Sequence, residues 1–280
     1  MKTKGLIASV LAGALLLFFA GCQQLDNNQD GPGRLVVKIT DAPLPIDMVE
    51  AANVTITKVE IRSVVDTAGY PFITLFEGSR EFNLLELRNG ITAELVDMEV
   101  PAGDYNLIRL YVDSASITVK DHGTYEAKVP SGAETGIKLF IEPSLQVAGG
   151  LTAEVLLDFN IDESFVMQGN MNSPAGIKGL IFNPVIRAVN NTEAGVVEGV
   201  VMDTASTLLE NAAVWIELEQ DTVTSYTDSL GYYAITGIPS GSYIMGAAMA
   251  DYDTVTVDDV QIVAGNLSEQ DFVLVADTTQ

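Results

Sequence analysis

Cys22 is the sole thiol in the 280-residue chain. It stands directly after Phe19, Ala20 and Gly21, at the end of an apolar run that starts at Leu6. A thiolate is the side-chain nucleophile able to accept a lipid-bearing glyceryl group as a thioether, so the sulfur's position at the edge of that run is a chemical signal. A second signal lies in Ala212 to Glu219. Alternation there puts Val214, Ile216 and Leu218 on one face of a strand and Trp215, Glu217 and Glu219 on the other. An indole beside two carboxylates can stack on the CH face of a sugar ring while the acids bond its hydroxyls. The same indole can instead pack against the first domain or a neighbouring strand, and packing is the favoured reading of Trp215.

Other chemistries are excluded by residue counts. His122 is the only histidine, so no His-Glu-x-x-His zinc site exists, and a Ser-His-Asp triad would have to use that one turn residue. There is no Gly-x-Ser-x-Gly elbow and no phosphate-cradling glycine loop with a lysine. Asp158-Phe159-Asn160-Ile161-Asp162 matches the first half of a calcium loop, but Glu163 stands where the loop needs Gly and Gly169 where it needs a bidentate Glu. The reading is therefore no catalytic residue, no metal and no cofactor. Acidic pairs in the first domain leave a hydrolase as the less favoured rival.

Lys2 and Lys4 precede the apolar run, and Gln23 to Asn28 after it are mostly polar. The run is too short and wrongly flanked for a membrane-spanning helix. Ending on cysteine, it resembles a bacterial lipoprotein signal over 1–21, with cleavage between Gly21 and Cys22 and the lipid on Cys22. Phe19 departs from the aliphatic residue usual at that place. Gln23 is not the aspartate associated with inner-membrane retention, so the resemblance implies an outer-membrane lipoprotein, periplasmic or surface-facing.

The chain carries 14 Lys and Arg against 38 Asp and Glu, a formal charge of −24. Such a field repels phosphate backbones and excludes nucleic acid as a partner. It also repels anionic lipid, so membrane attachment has to be covalent. With 48% hydrophobic residues and a mean hydropathy of +0.26, the chain has enough apolar surface to fold. No Lys, Arg or His follows Arg187, whereas fourteen acids lie between Glu198 and Asp277. That change of composition divides the chain.

Residues 22–33 read as a flexible tether, 34–190 as a first domain and 195–277 as a second. Period-two patterns rich in Val, Ile, Thr and Tyr predict strands over Arg34–Thr40, Asn53–Arg62, Tyr105–Val112, Ser116–Lys120, Leu151–Phe159 and Ile177–Val189, with an edge near Asn183 and Pro184. Phe82–Leu87 fits a strand or a helical turn, and Ile91–Asp97 a short helix. In the second domain strands are expected over 195–202, 212–219, 223–227, 232–236, 241–249, 254–260 and 271–275. The fold class is all-β, with two antiparallel β-sandwich domains.

The first domain resembles the DUF4382 family of bacterial lipoprotein domains. The resemblance rests on Leu35 to Pro43, Val54 to Val59, Phe82 to Leu87, Pro101 to Tyr105, Ile108 to Leu110, Pro130 to Leu139, Leu157 to Phe159 and Pro184 to Arg187. It implies a β-rich fold and extracytoplasmic placement and no activity. The second domain resembles a carboxypeptidase-regulatory-like domain, a small transthyretin-like sandwich akin to collagen-adhesin B-type modules. That likeness rests on Val197 to Val201, Asn211 to Val214, Thr227 to Tyr233 and Ile238 to Tyr243. It implies a stalk, spacer or sugar-binding module. Isopeptide cross-linking within this domain is excluded because it has no lysine. Together the expectation is a non-catalytic, lipid-anchored envelope protein acting as a binding or scaffold unit. Its partners would be the membrane and a glycan or envelope protein, and the nearest alternative is carbohydrate binding through Trp215.

Overall fold

The computed structural model describes residues 31–42, 49–65, 72–130, 132–169, 176–219 and 221–277. The described part of the first domain contains β1 (Gly33–Ala42), β2 (Val49–Ser63), β3 (Phe72–Asn83), β4 (Ala93–Val100), β5 (Gly103–Val119), β6 (Gly123–Lys128), β7 (Ile137–Val147), β8 (Thr152–Asn160), β9 (Phe165–Gly169), β10 (Ile177–Phe182) and β11 (Ile186–Asn190). They join in the order β4-β1-β8-β11-β7-β5-β6-β10-β9, with β2 added to β5 and β3 to β2. Leu35, Val37 and Ile39 of β1, Ile108 and Leu110 of β5, and Val155, Leu157 and Phe159 of β8 share one core, all at 0% exposure. Each such side chain contributes roughly 1.5–3 kcal/mol on burial.

Bulges bend this sheet around that core. In β2 the buried positions run Val54, Ile56 and then Val59, Ile61, so the inward phase shifts where the register slips between Ile56 and Lys58. β5 changes phase likewise, from Val112 to Ala115. An extra residue on one strand turns the following side chains to the opposite face and increases local twist. Tyr105–Val112 and Ser116–Lys120 are therefore one strand rather than the two that alternation predicts.

Most pairings are antiparallel, but β1 lies parallel to β8 over nine register pairs, from Arg34 with Thr152 to Ala42 with Asn160. The intervening strands provide the long crossover that a parallel neighbour requires. Two further expectations change. Ile91–Asp97 is not a helix: Ala93–Val100 is β4, paired antiparallel to β1 from Val100–Gly33 to Ala93–Ile39. Its Ala and Glu favour helix locally, but Leu95 and Val96 are buried against the core and β1 would otherwise be left with an unpaired edge. Gly33 belongs to β1 rather than to a tether, and a Cβ there would stand 2.4 Å from the Ala148 carbonyl oxygen.

The second domain is a sandwich of β12 (Ala194–Asp203), β13 (Ala213–Glu217), β14 (Thr222–Tyr226), β15 (Tyr232–Pro239), β16 (Gly241–Ala248), β17 (Val255–Ile262), β18 (Leu267–Glu269) and β19 (Phe272–Leu274). One sheet runs β15-β12-β18 with β19 also on β12, the other β14-β13-β16-β17. Between them lie Val197, Val201, Tyr233 and Phe272 from the first sheet and Val214, Ile216, Met245 and Ala247 from the second. The fold class is thus all-β, as the patterning implies.

Both domains enter a core strand through the same turn. In Pro101-Ala102-Gly103-Asp104-Tyr105 and in Pro239-Ser240-Gly241-Ser242-Tyr243, the tyrosine hydroxyl donates to the proline carbonyl four residues earlier, at 2.7 and 2.8 Å. A tyrosine whose ring is withdrawn from water needs such a partner for its hydroxyl. A tight turn also forms at Asp228 and Gly231: the Asp228 carboxylate accepts from the Leu230 and Tyr232 amides, and Gly231 has φ +67°.

Candidate functional site

The two domains meet along β8, β11 and β15. Leu156, Val189 and Ala194 form a small apolar patch there, and Gly237 (φ +68°) sits against it, where a Cβ would be 2.9 Å from Leu156. Arg187 ties the seam. One guanidinium nitrogen donates to Asp158 at 2.7 Å and another crosses to the Gly237 carbonyl at 3.1 Å. A second link joins the Ser225 hydroxyl to the Asn89 side-chain oxygen, 3.2 Å apart.

Beside this seam the domains leave an open cleft of about 820 Å³. One wall is β7 and β11, with Phe140, Glu142 and Arg187. The other is the end of β13 with Glu217, then Glu219 and Asp221 ahead of β14, and the first half of β16 with Tyr243 and Ile244. Phe140 is 58% and Ile244 40% exposed, so the walls hold apolar surface that the fold itself does not cover. Arg187 is the one cation among the lining residues, and its charge is matched by Asp158. The carboxylates at the rim are therefore not neutralised within the cleft. The Tyr243 hydroxyl is pushed up in pKa by burial and further by Glu219.

Glu217 and Glu219, singled out by sequence, line this cleft, whereas Trp215 does not. Trp215 pairs with Gly246 on β16, and its half-buried indole lies over that glycine. A Cβ on Gly246 would come within 2.2 Å of the ring, so the indole requires a residue without a side chain beneath it. Gly246→Ala is expected to cost about 1–3 kcal/mol through overpacking, measured by chemical denaturation. Most of that loss should vanish in a Trp215→Ala background.

The half-match to a calcium loop has structural employment. Asp158 is paired with Arg187, and the Asn160 side chain caps the helical turn Ile161–Ser164 by accepting from the Glu163 amide at 3.1 Å. Asp158, Asp162, Glu163 and Asp221 border a smaller recess of about 160 Å³. Among the described residues, no three His, Cys, Asp or Glu side chains are gathered to hold a metal ion. His122 is exposed in the turn after β5, its amide donating to the Val119 carbonyl. Gly21 and Cys22 lie outside the described residues. Among those residues no helix is long and apolar enough to cross a membrane.

Sequence reasoning missed Phe140, Arg187, Asp221 and Ile244. A signal for Phe140 exists: in β7 the alternation buries Leu139 and Ile141 and turns Lys138, Phe140 and Glu142 outward, making the ring the apolar member of a charged face. Nothing local marks Arg187, because its partners lie 29 and 50 positions away.

No curated protein matches the chain. Solved structures that are similar to it in part include these three. A candidate carbohydrate-binding protein from Bacteroides uniformis aligns at 15% identity over 29% of this chain and 41% of its own, with TM-score 0.26. The Bacillus anthracis TIE protein aligns at 16% identity over 88% of this chain and 34% of its own, with TM-score 0.25. Shaft pilin SpaA from Lactobacillus rhamnosus GG aligns at 10% identity over 89% of this chain and 99% of its own, with TM-score 0.27. The chain thus spans less than half of the first two, and similarity at this level bears on neither fold nor role. The family models are specific. One described as a carboxypeptidase regulatory-like domain matches residues 196–275, and it follows a match over residues 32–174, slightly more than half the chain, by which this protein belongs to the family described as domain of unknown function DUF4382.

Proposed function

We propose that the chain is a non-catalytic binding unit of the cell envelope, held at the outer membrane by a lipid on Cys22 and presenting the cleft between its two domains to a partner. The observation that carries the binding role is the cleft itself. Its two walls are fixed to each other by the Arg187 bridge, yet exposed Phe140 and Ile244 stand beside rim carboxylates. A concavity of several hundred Å³ with apolar walls and a few polar groups is the usual form of a ligand site.

The anchoring role rests on Cys22 after an apolar leader. Two or more acyl chains, at roughly 0.8 kcal/mol per buried CH2, hold a protein that a single chain holds only marginally. In cells fed labelled palmitate, wild-type chain should carry the label and Cys22→Ser should keep its leader unprocessed and unlabelled. Label in Cys22→Ser would refute the anchor.

A further inference from the structure

We infer that the interdomain cleft takes a basic protein segment, the ammonium or guanidinium of a lysine or arginine seated among Glu217, Glu219 and Asp221 with its stem laid on Phe140 and Ile244. The inference rests on the cleft being a binding surface and names its ligand class. The acids cannot be neutralised from within their own domain, since no cationic residue follows Arg187. Nor does the facing wall neutralise them: Arg187 is its cation at the cleft and is spent on Asp158. Among the described residues none of the three carboxylates enters an ion pair.

Like charges collected in a concavity repel one another and focus a negative potential into it, which a bound cation relieves. A bare metal ion does not fit, because the carboxylates are not gathered around one point. A neutral sugar would use the hydroxyl-accepting capacity of these acids but not their charge, and Trp215, the indole best suited to stack on it, does not line the cleft. Lysine and arginine match both halves of the surface. Their aliphatic stems cover apolar area while the head stays polar, and the exposed face of Phe140 attracts the cation.

The test is calorimetric titration of the full chain, in detergent, with oligolysine and oligoarginine peptides and with a neutral xylo-oligosaccharide. Three variants are compared with wild type. Glu217→Gln/Glu219→Gln/Asp221→Asn removes three negative charges from the cleft, and Asp258→Asn/Asp259→Asn/Glu269→Gln removes the same charge from β17 and β18. Phe140→Ser removes the ring. Basic peptides should bind wild type in a salt-sensitive manner, about tenfold more weakly to the cleft variant and to Phe140→Ser, and with little change to the β17–β18 variant. Equal weakening by both triple variants would show a general charge effect and overturn the inference. Binding of the xylo-oligosaccharide that Phe140→Ser abolishes, with no response to the basic peptides, would keep the cleft as a site and overturn its ligand class. If binding of no probe responds to any cleft substitution, the inference and the cleft reading fall together, provided that thermal melts show the variants folded.

Discussion

Arg187→Met is expected to destabilise the protein by about 3–5 kcal/mol at neutral pH, the range for breaking a buried ion pair from one side. The side chains of Arg187 and Asp158 are 20% and 10% exposed. Removing the guanidinium leaves Asp158 away from water, where burial already raises its pKa and Arg187 is the main opposing influence. It also removes the 3.1 Å bond across the seam to Gly237, so the two domains should unfold in more separated steps. The loss should shrink as pH falls, because an uncompensated Asp158 is relieved by taking up a proton. Arg187→Met combined with Asp158→Leu should recover most of the stability, since apolar replacement of both partners leaves no stranded charge. A single-variant loss under about 1 kcal/mol, or a double variant no better than the single, would show that the pair does not tie the domains.

Asp41→Val is expected to stabilise the chain by roughly 1–3 kcal/mol, the cost of an unsatisfied buried polar group. Asp41 is 4% exposed and continues the inward side of β1 after Leu35, Val37 and Ile39. Neither carboxyl oxygen has a hydrogen-bond partner. Burial, and secondarily the charge of Asp158, hold its pKa well above the ordinary carboxylate range, against weaker opposing influences from the Ile161 amide and Arg88. The folded state therefore keeps a proton that the unfolded chain releases above about pH 4. Asp41's contribution is intact below that pH and is lost as pH rises through the folded-state pKa. Asp41→Asn should match wild type in acid and exceed it increasingly toward neutral pH, read from urea midpoints across pH 4–8. Parallel stability curves for Asp41→Asn and wild type would remove Asp41 from the account.

Where one face of a strand is buried throughout, alternation places it from sequence, as in β8 and β12. Where a bulge shifts the phase, as in β5, a single strand reads as two. β4 reads as helix because its residues favour helix locally and its partner is more than fifty positions away. A minority of the site was legible: Glu217 and Glu219 stand out as acids on an outward face. Trp215 stands out for the same reason, yet its indole is set by Gly246, a neighbour that only strand pairing supplies. Phe140, Arg187 and Asp221 become a site only when the second domain folds back onto β7 and β11, and no local pattern encodes that apposition.

The proposed binding role requires the wall-to-wall space between the domains to receive a partner. Hydrogen–deuterium exchange of the full chain, with and without oligoarginine, tests it most directly. Slower exchange is expected only in residues 138–143, 217–222 and 239–244. Protection centred on the acidic β17 edge, with those three segments unchanged, would contradict it.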